Sequence, residues 1–298
     1  MRSPKSFSEQ IGYFTFAQNT DTVDYLELAY VQALSIKCTQ DTVNKYAVAV
    51  DAATKEKIND KHRSVFDYII DIPTDYNDAS SDWKLANEWQ AWWLTPFKET
   101  IKLESDMLFT RDLTHWISLL QTKEVVLTTH IRDYEGHISR SRAYREMFDE
   151  NNLPDVYNGF MYFRFGQDSM KFFDTARTVF QFWPVFRDEL LKNCRDETPS
   201  TDLLYAVTAQ LVGPETCTLP NSNINGFPTF THMKGAINRL GVNSDWTKHY
   251  YAQLDDNAHL TVGFTRQMYP FHYYQKHFIT DDIKQRYERI FERIKSGA

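Results

Sequence analysis

Glycine is scarce in this chain, ten residues in 298, or about 3% against a usual share of about 7%. No two glycines stand at the GxGxxG spacing or at the GxxxxGK spacing of a phosphate-cradling loop, which excludes a dinucleotide fingerprint and a P-loop. Cysteine is scarcer still. Cys38, Cys194 and Cys217 are odd in number and far apart, so neither a disulfide framework nor a structural zinc site is expected, and a reducing, cytoplasmic setting fits best. No apolar run approaches the ~18 residues of a membrane span, and the opening MRSPKSFSEQ lacks the apolar segment of a signal peptide. A soluble protein with no membrane partner and no readable address is therefore expected. Basic residues are in deficit, 33 against 40 acids for a formal charge of -7, so a polyanion would have to be met by a local basic patch. Repeats and a Pro/Ser/Gly linker are also missing.

Aromatics, in contrast, reach 15% through 21 Phe, 17 Tyr and 7 Trp, beside 42% hydrophobic and 24% charged residues, the profile of a globular chain with a large core. Residues 11–18 (IGYFTFAQ) read as a strand that stops at Asn19, Thr20 and Asp21, and 24–40 carry apolar residues at helical spacing. A second strand, 46–50 (YAVAV), ends on Asp51, and a third, 65–72, ends at Pro73. Near-continuous apolar strands between helical segments predict a parallel sheet covered on both faces. A Trp-rich helix over 83–94 and a strand over 100–109 (TIKLESDMLF) follow. Beyond them the pattern predicts a helix over 111–121, strands over 124–129 and 156–165, helices over 169–180, 184–193 and 201–211, and a turn-rich stretch over 213–231. From Asp281 a last helix places Ile283, Tyr287, Ile290 and Ile294 on one face.

Glu104-Ser105-Asp106 is the most informative triplet. Alternate residues at a strand end point to the same side, so two carboxylates aim at one spot. Oxygen ligands of this kind suit Mg²⁺ or Mn²⁺ rather than a soft metal. Projection from the carboxyl edge of a sheet puts them where ligands bind in open α/β folds.

The FAQN turn after the first strand, Asp51 at the end of the second and KLESDMLF at the fourth resemble nucleotide-diphospho-sugar glycosyltransferases of the GT-A fold, with ESD where that family has DxD. VYNGFMYFR resembles the family's asparagine-glycine strand (Asn158, Gly159), TDLLYAVTAQ its acidic helix start (Asp202), and FTHMKGAI its His-x-Lys segment (His232, Lys234). The likeness spans about residues 11–240 in consistent order and departs from DxD in Glu104. It implies an α/β, Rossmann-like, mostly parallel sheet flanked by helices in one large domain. A nucleotide-sugar-binding half would cover 1–110, and an acceptor-binding half with the C-terminal helix would cover 111–298.

Carried over by residue, the resemblance implies that Asp106 and His232, with Glu104 beside them, hold Mn²⁺ or Mg²⁺ against a UDP-sugar. Lys234 would add positive charge at the diphosphate, Ala17, Gln18, Asn19 and Asp51 would line the nucleoside pocket, and Asn158 and Asp202 would meet the sugar or lie at the reacting face, Asp202 as candidate base. Each has a plainer reading. Asp51 could initiate a turn, Asp202 could cap a helix, and His272 or His277 could replace His232 as third ligand. Trp83 and Trp89 read as core, as Trp92 and Trp93 do more often than as a platform for an acceptor ring.

The stretch 130–147 is locally basic, and Arg140, Arg142 and Arg145 are its candidates for phosphate contact. More narrowly, the chain resembles bacteriophage glycosyltransferases that modify hydroxymethylated DNA bases. That implies transfer of arabinose or glucose to 5-hydroxymethylcytosine in duplex DNA, in the host cytoplasm. The alternatives are a transferase acting on a glycan or protein hydroxyl, and a non-catalytic nucleotide-sugar-binding module.

Overall fold

The computed structural model describes residues 9–77, 84–139, 145–220, 227–235 and 244–297. Strands at the six positions expected, β1 (Glu9–Phe16), β2 (Tyr46–Val50), β3 (Tyr68–Asp71), β4 (Phe97–Leu103) and, after the two-residue β5 (Met107–Leu108), β6 (Val125–Thr128) and β7 (Tyr157–Arg164), form one six-stranded sheet of order β3-β2-β1-β4-β7-β6. The first four of that order are mutually parallel, and β7 runs against both of its neighbours. The α/β class and the helix-flanked, mostly parallel sheet are thus as expected.

Alternation along the strands divides the core. Tyr13, Tyr46, Val48, Ile101 and Leu103 face one side with the first helix (Tyr25–Thr39) and the C-terminal helix (Asp281–Ser296). Phe14, Phe16, Ala47, Phe97 and Phe163 face the other, with the helices Gln167–Gln181 and Thr201–Val212. Each large apolar side chain so enclosed contributes about 1.5–3 kcal/mol. Gly12 permits the closest approach in this frame, since a Cβ there would stand 2.5 Å from the Phe97 ring. Of the predicted C-terminal face, Ile283, Tyr287 and Ile290 are buried, and Ile294 is exposed.

Several local expectations are corrected. The apolar run 100–109 is not one strand. β4 ends at Leu103, and Met107–Leu108 turns away to pair with β12 (Phe271–His272), which also pairs with β8 (Thr231–His232) in a second, three-stranded sheet. A third small sheet holds β9 (Ala252–Leu254), β10 (Leu260–Val262) and β11 (Thr265–Arg266). Within 83–94 the helical turns cover Glu88–Gln90 and Ala91–Leu94, and Trp83 lies outside the described residues. Trp89 is buried, as expected, and Trp92 and Trp93 pack on the same core, Trp92 also donating to Ser169 at 3.2 Å. The helix expected over 184–193 is a short α-turn, Trp183–Val185, followed by a π-turn, Phe186–Leu190. The three cysteines are free. Among the described residues no helix is long and apolar enough to cross a membrane.

Candidate active site

The strand order reverses direction between β1 and β4, and at such a switch point the carboxyl ends of adjacent parallel strands open a crevice. A cavity of about 270 Å³ lies there, lined by Phe16 at the end of β1, by Gln18 beyond it, and by Glu104, Ser105 and Asp106 beyond β4. The first helix holds the acidic turn in place, because the buried Gln32 amide donates to the Glu104 carbonyl at 2.6 Å and to the Met107 carbonyl at 3.2 Å. Tyr46 fixes that amide by donating its hydroxyl to Gln32 Oε1 at 2.7 Å.

Asp106 is almost fully buried, and its Oδ2 lies 2.8 Å from His272 Nε2 and also accepts from Lys276 Nζ. Glu104 Oε2 stands 3.3 Å from the same His272 nitrogen. Burial alone would raise the Asp106 pKa, but His272 and Lys276 outweigh it and hold the group well below the usual carboxylate range. Glu104 moves the other way. Desolvation raises it, Asp106, Asp202 and Glu88 add to the rise, and His272 opposes it. Lys276 would lose its proton more readily through burial, yet Asp106 reverses this and its pKa is raised.

Ligand atoms of Glu104, Asp106 and His272 all lie within 4.8 Å of one another. Two carboxylates and an imidazole are a donor set that fits Mg²⁺ or Mn²⁺, and His272 Nδ1 is buried without a hydrogen-bond partner among the described residues. The histidine brought to the acids is therefore His272, whereas the sequence favoured His232. His232 sits one strand over, its ring centroid 4.4 Å from that of His272. Burial, with the charges of His272 and Lys234, keeps its pKa well below the ordinary histidine value. Its Nδ1 accepts from the Lys234 amide at 3.0 Å, so it shapes the turn that brings Lys234 to the cavity. His277 is exposed and engaged with Asp245 at 3.2 Å. Next to His272, Tyr274 lines the cavity with φ of 61°, a left-handed conformation that non-glycine residues rarely adopt and that clusters at functional sites.

On the β1 side, Gln18 donates to Asp51 at 3.0 Å and accepts from Asn77 at 3.1 Å and Asn87 at 2.9 Å. Of the four expected nucleoside contacts Gln18 lines the cavity, and Ala17 is fully buried in the core. The Asn19 side chain accepts from the Leu26 amide at 2.9 Å and donates to Asp24 at 2.8 Å, serving the start of the first helix. Asp51 caps the turn Ala52–Lys55 by accepting from the Thr54 amide at 2.7 Å while it holds Gln18.

Across β4 the site continues into a second cavity of about 660 Å³, which shares Leu85, Glu104, Lys234 and His272 with the first. Asp202 lines this second cavity, and behind it the buried Asn158 donates its backbone amide to Asp202 Oδ1 at 2.7 Å. The helix after Pro199 is capped by Ser200, which accepts from the Leu203 amide at 3.3 Å. Asp202 is thereby left to accept from Arg145 Nη1 at 2.8 Å. Arg145, expected at a phosphate, is 1% exposed, also paired to Asp155, and stacked between Phe148 and Tyr157. It is an internal residue, not a surface cation. Arg140 and Arg142 lie outside the described residues. Sequence reasoning missed Lys276, Lys102 and Glu88. The one local signal was a lysine four residues after His272 in FHYYQKHF.

No protein-family model and no curated protein matches the chain. Among solved structures, the chain is similar to the glycosyltransferase GlyE of Streptococcus pneumoniae at 9% identity, covering 97% of this chain and 64% of that one, with a TM-score of 0.48. It is also similar to the bifunctional glycosyltransferase WbbM (12% identity, 74% of this chain and 40% of that one, TM-score 0.45) and to mouse xyloside xylosyltransferase 1 (9%, 72% and 86%, TM-score 0.44). At these scores the likenesses are distant and define no family for the chain.

Proposed function

We propose that the chain is a metal-dependent glycosyltransferase of GT-A type that moves a sugar from a UDP-sugar to a hydroxyl acceptor. The observation that carries this reading is the gathering of Glu104, Asp106, His272 and Lys276, with Lys234, around one cavity at the carboxyl ends of β1 and β4. A divalent cation, when bound by the two acids and His272, supplies charge stabilisation for a departing diphosphate. Lys234 and Lys276 add fixed positive charge on the same side, which costs no reorganisation as negative charge grows. Gln18, its amide held by Asp51, Asp75, Asn77 and Asn87, backs the wall of the cavity on the side read here as the nucleoside pocket, with Ala17 and Asn19 shaping the turn behind it. Residues 1–110 thus supply the donor side, to which His272 and Lys276 return from the second half. In this reading Asp202, on the wall of the second cavity, meets the sugar side and serves as the candidate base for an acceptor hydroxyl, and Asn158 acts behind it through the backbone N–H that holds it.

The narrower reading, arabinose or glucose moved to 5-hydroxymethylcytosine in duplex DNA, rests on Arg140 and Arg142 once Arg145 is internal, and we keep it as one arm of the test. The protein would be incubated with a panel of nucleotide sugars, with and without Mn²⁺, and with hydroxymethylated DNA, glycan and hydroxyl-bearing peptide acceptors. Free nucleoside diphosphate and the mass of the acceptor would be measured. Metal-dependent release of UDP with a mass gain on one acceptor class is the expected result. Metal-dependent UDP binding without turnover would replace the enzyme by a binding module, and absence of both would overturn the reading.

A further inference from the structure

Lys102 lies in β4 between Ile101 and Leu103, and its side chain is fully enclosed, 0% exposed, with its ammonium on Glu88 Oε2. Withdrawing an ammonium and a carboxylate from water costs several kcal/mol, and a methionine of similar length would fill the same space without that cost. Stability therefore does not explain the pair, but its third partner does. Lys102 Nζ also donates to Asn158 Oδ1 at 2.9 Å, while Asn158 Nδ2 donates to Glu88 Oε2 at 2.7 Å. The Asn158 amide is held at both ends by groups of opposite charge. Turning it over would set its NH₂ against an ammonium and its oxygen against a carboxylate.

With the amide so fixed, Asn158 Nδ2 faces Glu104 Oε1 at 3.5 Å, and the backbone N–H of the same residue holds Asp202 Oδ1 at 2.7 Å. One residue touches an acid of the first cavity and an acid of the second. Tyr205 adds a brace by donating to the Glu88 carbonyl at 3.2 Å. Lys102 lines neither cavity, whereas Glu88 borders the first.

We propose that the buried Lys102–Glu88 pair is a positioning device: it locks the Asn158 side-chain amide in one orientation and so sets it against Glu104, the acid that borders both cavities, while the backbone N–H of the same residue holds Asp202. Its kinetic consequence rests on the glycosyl-transfer reading, and its structural consequence rests on the geometry alone.

The test is the double variant Lys102→Met with Glu88→Gln, which removes both charges and keeps the volume. Asparagine-labelled protein would give the Asn158 side-chain NH₂ signal in ¹H–¹⁵N spectra, assigned by its loss in Asn158→Asp. The folded double variant should show solvent exchange of that NH₂ accelerated at least about 10-fold. Its kcat should fall by about 10- to 100-fold while the donor KM stays within about 3-fold, as expected when reacting groups are misplaced and ground-state binding is kept. Unchanged exchange would overturn the clamp, and loosened exchange with unchanged kcat would overturn its role in transfer. A wild-type protein that transfers no sugar would sink the glycosyl-transfer reading, and the exchange measurement would still decide the clamp. Should the double variant fail to fold, Glu88→Gln alone keeps a hydrogen-bonding side chain of the same size and should change both quantities in the same direction by smaller factors. No change in either would overturn the proposal.

Discussion

His272 and His232 are register partners on the parallel strands β12 and β8, their ring centroids 4.4 Å apart. His272 carries its Nε2 to within 2.8 Å of Asp106 Oδ2, while His232 spends its Nδ1 on the Lys234 amide at 3.0 Å. Adjacent imidazoles thus do different work. One meets the acids, and the other, held neutral by burial and by the charges of His272 and Lys234, orders the turn of a lysine.

That division gives the first prediction. His272→Ala should weaken Mn²⁺-dependent UDP binding by at least about 100-fold, because a candidate ligand is lost, and His232→Ala by about 10-fold, because a supporting partner is lost. Mn²⁺ titration followed by electron paramagnetic resonance, with and without UDP, measures both. Equal losses, or a larger loss at His232, would return His232 to the position of third ligand.

Asp51 serves two masters, the cap on Thr54 and the orientation of Gln18, and substitutions can separate them. Asp51→Ala should cost about 1 kcal/mol of stability through the lost cap and weaken UDP binding as Gln18 loosens. Asp51→Asn keeps a cap of similar strength, so its thermal midpoint should match the wild type. Calorimetric UDP titration beside thermal denaturation checks this. Wild-type UDP affinity in a destabilised Asp51→Ala protein would make Asp51 a cap alone.

The sheet was legible where β1 and β2 are buried and read as near-continuous apolar runs, whereas β4, Phe97–Leu103, mixes Lys98, Glu99, Thr100 and Lys102 with its apolar residues and showed only its end. The apolar rule misled at residues 100–109, where Met107 and Leu108 look like a continuation of β4 but belong to a different sheet. An apolar run reports burial and is silent about which neighbour does the burying. Glu104 and Asp106 were legible as a pair by their spacing, as was Asn158 by resemblance. His272 and Lys276 were not, since Met107 pairs with His272 at a sequence separation of 165, and no local pattern encodes that pairing. Arg145 illustrates the opposite error. A basic run suggested a surface, and two carboxylates from elsewhere in the chain, Asp155 and Asp202, enclosed the guanidinium instead.

Away from the site, Glu27 predicts a pH dependence. Burial opposes its charge, but His62, Lys61 and Lys284 more than compensate and lower its pKa to about 2. A depressed folded-state pKa stabilises the fold fully above the ordinary value of 4.5 and loses that contribution as pH falls toward 2. Because the group is only partly buried, solvent screening leaves an effect of order 1 kcal/mol. Glu27→Gln should lower the thermal midpoint at neutral pH by about 1–2 °C, and the gap should close as the pH falls through that window. A gap that persists unchanged at the acid end would show that packing, not charge, holds Glu27.

Arg145 offers the sharpest choice between an acceptor-binding cation and an internal strut. As a strut it ties Asp202 at 2.8 Å to Asp155 at 2.7 Å while its guanidinium lies 3.6 Å from the Phe148 ring centroid. Removing one partner of a buried ion pair typically costs about 3–5 kcal/mol, and the carboxylates here keep some access to water, so Arg145→Ala should cost about 3 kcal/mol. Asp202 would also lose the donor that orients it, so turnover should fall with any acceptor, charged or neutral. A phosphate-binding arginine behaves differently. Its loss leaves the fold unaffected, reduces binding to a polyanion alone, and flattens the salt dependence of that binding by about one unit of slope. Thermal denaturation of Arg145→Ala, with turnover on a neutral hydroxyl acceptor and DNA binding at several salt concentrations, separates the two. Lost stability with an unchanged salt slope is expected, and a stable variant with a flattened slope would restore Arg145 to the acceptor surface.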